Sequence, residues 1–259
     1  MHRNTVKTKL HKGECVYGTS LEDCLAPEMP VILAAAGLDF FFIDTEHSPA
    51  NYGEIQALCR AAYGAGIVPL VRVTENQSHL ISRALDVGAS GVIVPRLKSA
   101  AEVQAVVRSV KFPPLGERGF GLRSVLTDLK GGPAQTAVES CNQETMVVVM
   151  VETREALECV EQIAAIEGVD ALFIGPYDLT LSLGIVEQFD HPTFWEAVDR
   201  VLRAGKAAGV AVGMQTGRLP MLAEVQKRGG RFLLLASDVA TLLEGYRRAL
   251  SELKGSNTP

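Results

Sequence analysis

The sequence predicts one closed (β/α)8 TIM barrel, an α/β fold, and three observations predict it. Eight short apolar stretches, none alternating in polarity, are separated by segments of helical composition, a pattern that calls for a parallel sheet covered on its outer face. No G-x-G-x-x-G follows a strand, and Gly64-Ala65-Gly66 lacks the third glycine, which lowers the open dinucleotide-binding alternative. The 259 residues contain no Pro- or Ser-rich bridge, so the chain 1–259 is expected to form a single domain.

In chain order, a polar, basic leader (1–12) precedes a short strand at 15–19, and helical composition over 26–36 stops at Gly37. The aromatic run 40–43 is the second strand. An Ala- and Leu-rich helix over 52–63 closes at Gly64 and Gly66, and the third strand, 69–73, carries Arg72 within it. A helix over 77–87 ends at Gly88 ahead of the fourth strand, 91–95. Ser99-Ala100-Ala101-Glu102 matches a capping box, in which hydroxyl and carboxylate satisfy each other's free backbone amides, and opens a helix to 110.

From 111 to 141 the periodicity fades. Pro113-Pro114, Gly116 to Gly121 and Gly131-Gly132-Pro133 mark a long irregular insertion, and loops of that length more often serve function than stand idle. Order resumes with a fifth strand (146–151), a helix (154–165) and a sixth strand (171–176). Pro192 takes a first helical position ahead of 194–208, strands seven and eight span 210–214 and 231–235, and a terminal helix covers 238–252.

Composition excludes several classes. A net charge of −5 gives no field that attracts a polyanion, so nucleic acid is not expected as a partner. The leader has no apolar core and no apolar run reaches bilayer length, which predicts no membrane association and a cytoplasmic location. The five cysteines show no C-x-x-C pair and read as unreactive thiols in a reducing compartment.

In such a barrel the strand C-termini converge on one face, so polar residues at strand ends form one constellation. The hydrophobic run from Leu38 stops at Asp44-Thr45-Glu46-His47, the third strand holds Arg72, the fifth runs into Glu152, and the sixth leads through Gly175-Pro176 to Asp178. Two carboxylates with water in the remaining positions are the usual setting for magnesium or manganese, which makes Glu152 and Asp178 candidate metal ligands; the plain alternatives are a helix cap and a salt bridge. Arg72 in an apolar strand needs an anion, either a substrate carboxylate or developing oxyanion, or else Asp44 or Glu46. His47 is a candidate proton carrier. No lysine lies on a strand, which favours metal-assisted over Schiff-base carbonyl chemistry.

Six ordered stretches resemble the HpcH/HpaI aldolase family of metal-dependent class II pyruvate aldolases, with citrate-lyase-like relatives. They are Phe42-Ile43-Asp44-Thr45-Glu46-His47-Ser48-Pro49, Pro69-Leu70-Val71-Arg72, Ala84-Leu85-Asp86-Val87-Gly88-Ala89, Arg118-Gly119, Val151-Glu152-Thr153-Arg154-Glu155-Ala156 and Phe173-Ile174-Gly175-Pro176-Tyr177-Asp178-Leu179. The resemblance implies a divalent metal (magnesium, manganese or cobalt) held by Glu152 and Asp178, proton transfer by His47 and an enolate stabilised by Arg72; Asp44, at the end of the second strand, is counted with the catalytic residues from its place in the constellation. It implies a substrate site at Gly175, Pro176, Tyr177 and Asp178, with the backbone at Tyr177 holding an oxoacid carboxylate.

The resemblance also implies that Asp86 raises the basicity of the histidine. Asp86 lies near a helix C-terminus, an end that points away from the catalytic face, so it is expected to act across a subunit interface. Met150 stands where many relatives carry a glutamine that touches bound substrate, and Thr45 replaces a common glycine; reaction type is therefore more firmly implied than substrate identity. A homo-oligomer, a hexamer among the arrangements, with an exchanged terminal helix is implied too, although Leu242, Leu243, Tyr246 and Leu250 fit ordinary docking equally well.

The expected activity is thus making or breaking a carbon–carbon bond of a 4-hydroxy-2-oxoacid, with small 2-oxoacid and aldehyde substrates. One rival is a CoA-thioester lyase of the citrate or malyl type, in which Lys111, Arg118, Arg123 and Lys130 would meet CoA phosphates, a solvated loop being the commoner fate of such a cluster. The other is a non-catalytic barrel that binds a small acid.

Overall fold

The structure, a computed structural model, describes residues 2–121 and 133–255. Eight parallel strands close in sequence order: β1 (Val16–Leu21), β2 (Phe40–Asp44), β3 (Val68–Arg72), β4 (Gly91–Val94), β5 (Met146–Val151), β6 (Ala171–Ile174), β7 (Ala211–Gln215) and β8 (Phe232–Leu234), with β8 pairing back onto β1. The predicted (β/α)8 barrel is what forms.

Strand sequences do not alternate in polarity because both of their faces are buried. Phe40, Phe42, Leu70, Ile93, Val148, Phe173 and Phe232 fill the barrel interior, while Phe41, Ile43, Val71, Val92, Val149 and Leu172 pack outward against the helices. Four phenylalanines anchor an otherwise aliphatic interior: Phe40 stacks on Phe232 at 4.5 Å between ring centres, and Phe173 meets Phe232 edge-on at 5.9 Å. Gly18 makes room for this, since a Cβ there would lie 2.6 Å from the Phe40 ring.

The helices around the barrel are α1 (Thr5–His11), α2 (Met29–Ala35), α3 (Tyr52–Ala65), α4 (Ser78–Asp86), α5 (Ala100–Val110), α6 (Ala134–Glu144), α7 (Arg154–Glu158), α8 (Val160–Ala164), α9 (Pro176–Leu183), α10 (Pro192–Ala208), α11 (Leu219–Lys227) and α12 (Asp238–Leu253). The leader is not featureless. Asn4 caps α1 by accepting from the Lys7 N–H, and Val6 and Leu10 are buried in the interior cluster, so α1 closes the N-terminal end of the barrel. Two apolar residues in seven leave almost no periodic signal for a helix that short.

The expected irregular stretch 111–141 needs correction at its end, because α6 begins at Ala134. Only Cys141 of α6 is buried, so the helix lacks the apolar stripe that would betray it. The helix expected over 154–165 breaks into α7 and α8 at Cys159, and α11 was not anticipated as an element; α9, which begins at Pro176, and α11 each have proline in the first turn. Among the described residues no helix is long and apolar enough to cross a membrane, and all five cysteines are free.

Candidate active site

Continuing each strand's inward-facing row by one to three steps lands on the polar residues of the C-terminal mouth. Phe40 and Phe42 lead to Asp44, Val68 and Leu70 to Arg72, Val148 and Met150 to Glu152, Ala171 and Phe173 to Gly175, Ala211 to Gln215, and Val16 to Ser20 and Glu22. A cleft of about 480 Å³ opens there, lined among others by Glu22, His47, Arg72, Met150, Tyr177, Asp178, Gln215 and Ser237.

On one side of the cleft Asp44 and Arg72 form a two-pronged ion pair. Arg72 Nε donates to Asp44 Oδ1 at 2.9 Å and Nη2 to Oδ2 at 2.5 Å. The fully buried Asp44 carboxylate also accepts from the backbone N–H of Glu46 at 2.9 Å and of His47 at 3.4 Å. Glu46 adds contacts to Arg72 Nη1 (3.4 Å) and Arg96 Nη2 (2.6 Å). Burial alone would lower the Arg72 pKa; the hydrogen bonds and charge of Asp44, with Glu46 and Glu152 behind, outweigh it and raise it. His47 is 58% exposed at the mouth, its Nε2 3.9 Å from Glu46 Oε1.

Glu152 is 3% exposed, and burial first of all, with Asp178 and Glu46 adding their negative charge, pushes its carboxyl up to about 7. Two influences oppose it: a hydrogen bond from the Arg96 backbone N–H to Glu152 Oε1 at 2.6 Å, presented by a residue in the left-handed region at φ 57°, and the positive charge of Arg72. Space for the Glu152 side chain depends on Gly175, where a Cβ would sit 2.6 Å from Oε2. Gly175 then caps α9 without any side-chain hydrogen bond, so the first N–H groups of that helix, at Tyr177 and Asp178, carry partial positive charge toward the cleft. Tyr177 is 52% exposed and stacks edge-on against Phe189 at 5.2 Å.

The opposite wall consists of residues that sequence reasoning passed over. Gln215 Nε2 donates to Ser20 Oγ at 2.7 Å and to the Leu235 carbonyl at 3.2 Å, and Ser20 Oγ donates to Glu22 Oε1 at 3.1 Å. The nearly buried Asp238, first residue of α12, accepts from the backbone N–H groups of Glu22, Asp23 and Cys24 at 2.7 to 3.2 Å. The inward parity of β1 and β7 is the signal that finds Ser20, Glu22 and Gln215.

Asp86 is not part of this mouth. It lies at the end of α4, where its carboxylate accepts from Arg118 Nη2 at 2.7 Å. Lys111 and Arg118 are both buried rather than solvated, which corrects their expected place in an open loop and removes them as contacts for CoA phosphates. Lys111 Nζ donates to the Asn142 and Thr145 carbonyls at 2.7 and 2.8 Å, and burial lowers its pKa to about 8. Arg123 and Lys130 lie outside the described residues.

The donor set at the mouth suits a hard cation. Glu152 and Asp178 offer only carboxylate oxygen, and the burial and neighbouring acids that lift the Glu152 pKa are what a divalent charge would offset. No group of three or more His, Cys, Asp or Glu side chains converges as a ready-made metal cage among the described residues, so water or substrate would complete the coordination.

Most of the chain is similar to known proteins. Residues 24–244 match the family described as HpcH/HpaI aldolase/citrate lyase. A hydroxypyruvate/pyruvate aldolase of Paraburkholderia phytofirmans is 34% identical, covering 97% of this chain and 98% of that one. A 2-keto-3-deoxy-L-rhamnonate aldolase of Escherichia coli is 31% identical over 99% and 96% of the two chains. The crystal structure of an HpcH/HpaI aldolase from Desulfitobacterium hafniense superposes with a TM-score of 0.91 at 36% identity, covering 98% of this chain and 97% of that one.

Proposed function

The chain belongs to the HpcH/HpaI aldolase/citrate lyase family and is a carbon–carbon lyase; from that premise we propose that it is a divalent-metal-dependent aldolase. It makes or breaks the bond of a 4-hydroxy-2-oxoacid through the enolate of pyruvate or a close 2-oxoacid. The observation that carries this reading is one cleft lined by the Asp44-locked Arg72 and the uncapped start of α9, with the buried Glu152 directly behind Gly175.

Glu152 and Asp178 hold the cation. When bound, it supplies Lewis-acid polarisation of the substrate's keto oxygen. The N–H groups at Tyr177 and Asp178 receive the oxoacid carboxylate, with Gly175 and Pro176 shaping that turn. Arg72 stabilises the negative charge that develops on the enolate oxygen, and Asp44 is a positioning residue that keeps the guanidinium aimed and charged. His47, at the mouth, moves the proton between substrate and solvent. Met150 presents a thioether to the cleft, and this wall therefore makes no strong hydrogen bond to the bound acid.

Magnesium, manganese or cobalt suits this oxygen donor set. The uncovered apolar positions Leu242, Leu243, Tyr246, Leu250 and Leu253 of α12 support assembly into a homo-oligomer, in which Asp86 of one copy would approach the mouth of another. Exchange of pyruvate methyl protons with deuterium, followed by NMR, tests the enolate step without knowledge of the aldehyde. Metal-supplied protein should exchange and chelated protein should not. No exchange with metal present refutes the enolate reading, and undiminished exchange after chelation refutes the metal's part in it.

A further inference from the structure

We propose that Glu22 and Gln215 select the acceptor aldehyde, favouring a neutral, hydroxylated aldehyde over one that carries a second acid group. The proposal rests on the aldolase reading above. Strand order divides the mouth into two arcs. The arc from β2 to β6 carries Asp44, Arg72, Glu152 and the start of α9, and is occupied by the oxoacid. The acceptor must approach from the remaining arc of β7, β8 and β1, whose cleft-lining groups are Gln215, Thr216, Ser237 and Glu22.

The hydrogen bonds of that arc leave it rich in acceptors. Both N–H groups of Gln215 are spent, on Ser20 Oγ and on the Leu235 carbonyl. A carbonyl can only accept, so the amide orientation is settled and Oε1 is the function left over. The single Ser20 proton goes to Glu22 Oε1, which leaves the second Glu22 oxygen unspent in that relay. Asp238 pins the backbone of residues 22–24 through three N–H groups, so Glu22 is held beside the cleft and is not a freely swinging surface carboxylate.

The charge balance points the same way. Among the described cleft-lining side chains only His47 and Arg72 can carry positive charge; Arg72 is committed to Asp44, and the cation proposed at Glu152 and Asp178 belongs to the oxoacid arc and is engaged by the oxoacid. A hydroxyl on the aldehyde donates to Glu22 or to Gln215 Oε1. A carboxylate, phosphate or sulfonate at that position has no proton to donate and meets the charge of Glu22 without a compensating cation.

The test compares kcat/KM for aldol addition of pyruvate to glyceraldehyde, propanal and succinic semialdehyde, using the metal-supplied protein. Glyceraldehyde should exceed each of the others by about tenfold or more, an effect of the size expected for hydrogen bonds made or lost in a desolvated site. Glu22→Gln should raise succinic semialdehyde relative to glyceraldehyde by about tenfold, mainly through KM, and Gln215→Leu should bring glyceraldehyde toward propanal. A structural role alone would move all three aldehydes together and leave their ratios unchanged.

Equal use of succinic semialdehyde and glyceraldehyde by the unaltered protein overturns the proposal, and so does an unchanged ratio in Glu22→Gln. Should that variant fail to fold, the ratios of the unaltered protein decide. Pyruvate proton exchange run alongside separates the two readings. Exchange with flat aldehyde ratios overturns this inference alone, whereas absence of both exchange and addition overturns the aldolase reading and this inference with it.

Discussion

Replacing Glu152 by glutamine should stabilise the metal-free protein, and increasingly so as pH rises from 5 to 8. The Glu152 carboxyl has its pKa raised from 4.5 to about 7, with burial the main cause. Because the folded-state value lies above the unfolded one, the folded protein holds this proton more tightly between them. Stability attributable to the group is therefore greatest below about pH 4.5 and is lost as pH rises through about 7. The interval spans two and a half pH units, at about 1.4 kcal/mol each, so the full cost is on the order of 3 kcal/mol at pH 8 and ~1 kcal/mol at pH 5. Glutamine keeps the acceptor for the Arg96 N–H and removes the charge. Urea unfolding of the two proteins in chelator, at pH 5 and pH 8, reads the difference directly, because every other titrating group is common to both. A variant no more favoured at pH 8 than at pH 5 would refute the assignment of a strained, partly protonated carboxyl at this position. Added magnesium should narrow the gap at pH 8 by stabilising the parent alone.

Two further outcomes follow from the geometry. Gly175→Ala places a methyl group 2.6 Å from Glu152 Oε2 and 3.2 Å from Met150 Cε. It should weaken metal affinity by about 10- to 100-fold while leaving the fold intact, as displacement of a ligand's support does; titration calorimetry with manganese measures it, and undiminished affinity would count against Glu152 as a ligand. Asp44→Asn removes the charge that faces Arg72 and should cost about 3 kcal/mol of stability, the scale for breaking one side of a buried pair. It should also lower kcat for pyruvate exchange more than it raises KM, a split that steady-state kinetics resolves.

The barrel was legible because both sides of the strands are buried, Tyr17 of β1 excepted, and eight largely apolar runs have few other arrangements. The charged arc was legible because Asp44, Arg72, Glu152 and Asp178 interrupt those runs or end them, where a buried charge must have a use or a partner. The opposite arc was missed through strand boundaries. The first strand was expected to stop at Thr19 and the seventh at Met214, whereas β1 continues to Leu21 and β7 to Gln215. Each error discarded an inward-facing polar residue: Gln215, which lines the cleft, and Ser20, which accepts its hydrogen bond. Uncharged residues such as Ser20 and Gln215 interrupt an apolar run too weakly to announce themselves.

By itself the sequence determined the closed barrel, the order of its strands and the carboxylates and arginine at their ends, since these follow from hydrophobic patterning along the chain. Tertiary structure alone decided that Asp44 grips Arg72 with both oxygens, that Arg96 offers its backbone to Glu152, and that Asp238 fixes the loop bearing Glu22. It also decided that Lys111 and Arg118 turn inward and that α1 stoppers the barrel. Each of these contacts joins residues from about 28 to more than 200 positions apart, and hydrogen-bond partners at such separation are set by closure of the barrel, which no local pattern encodes.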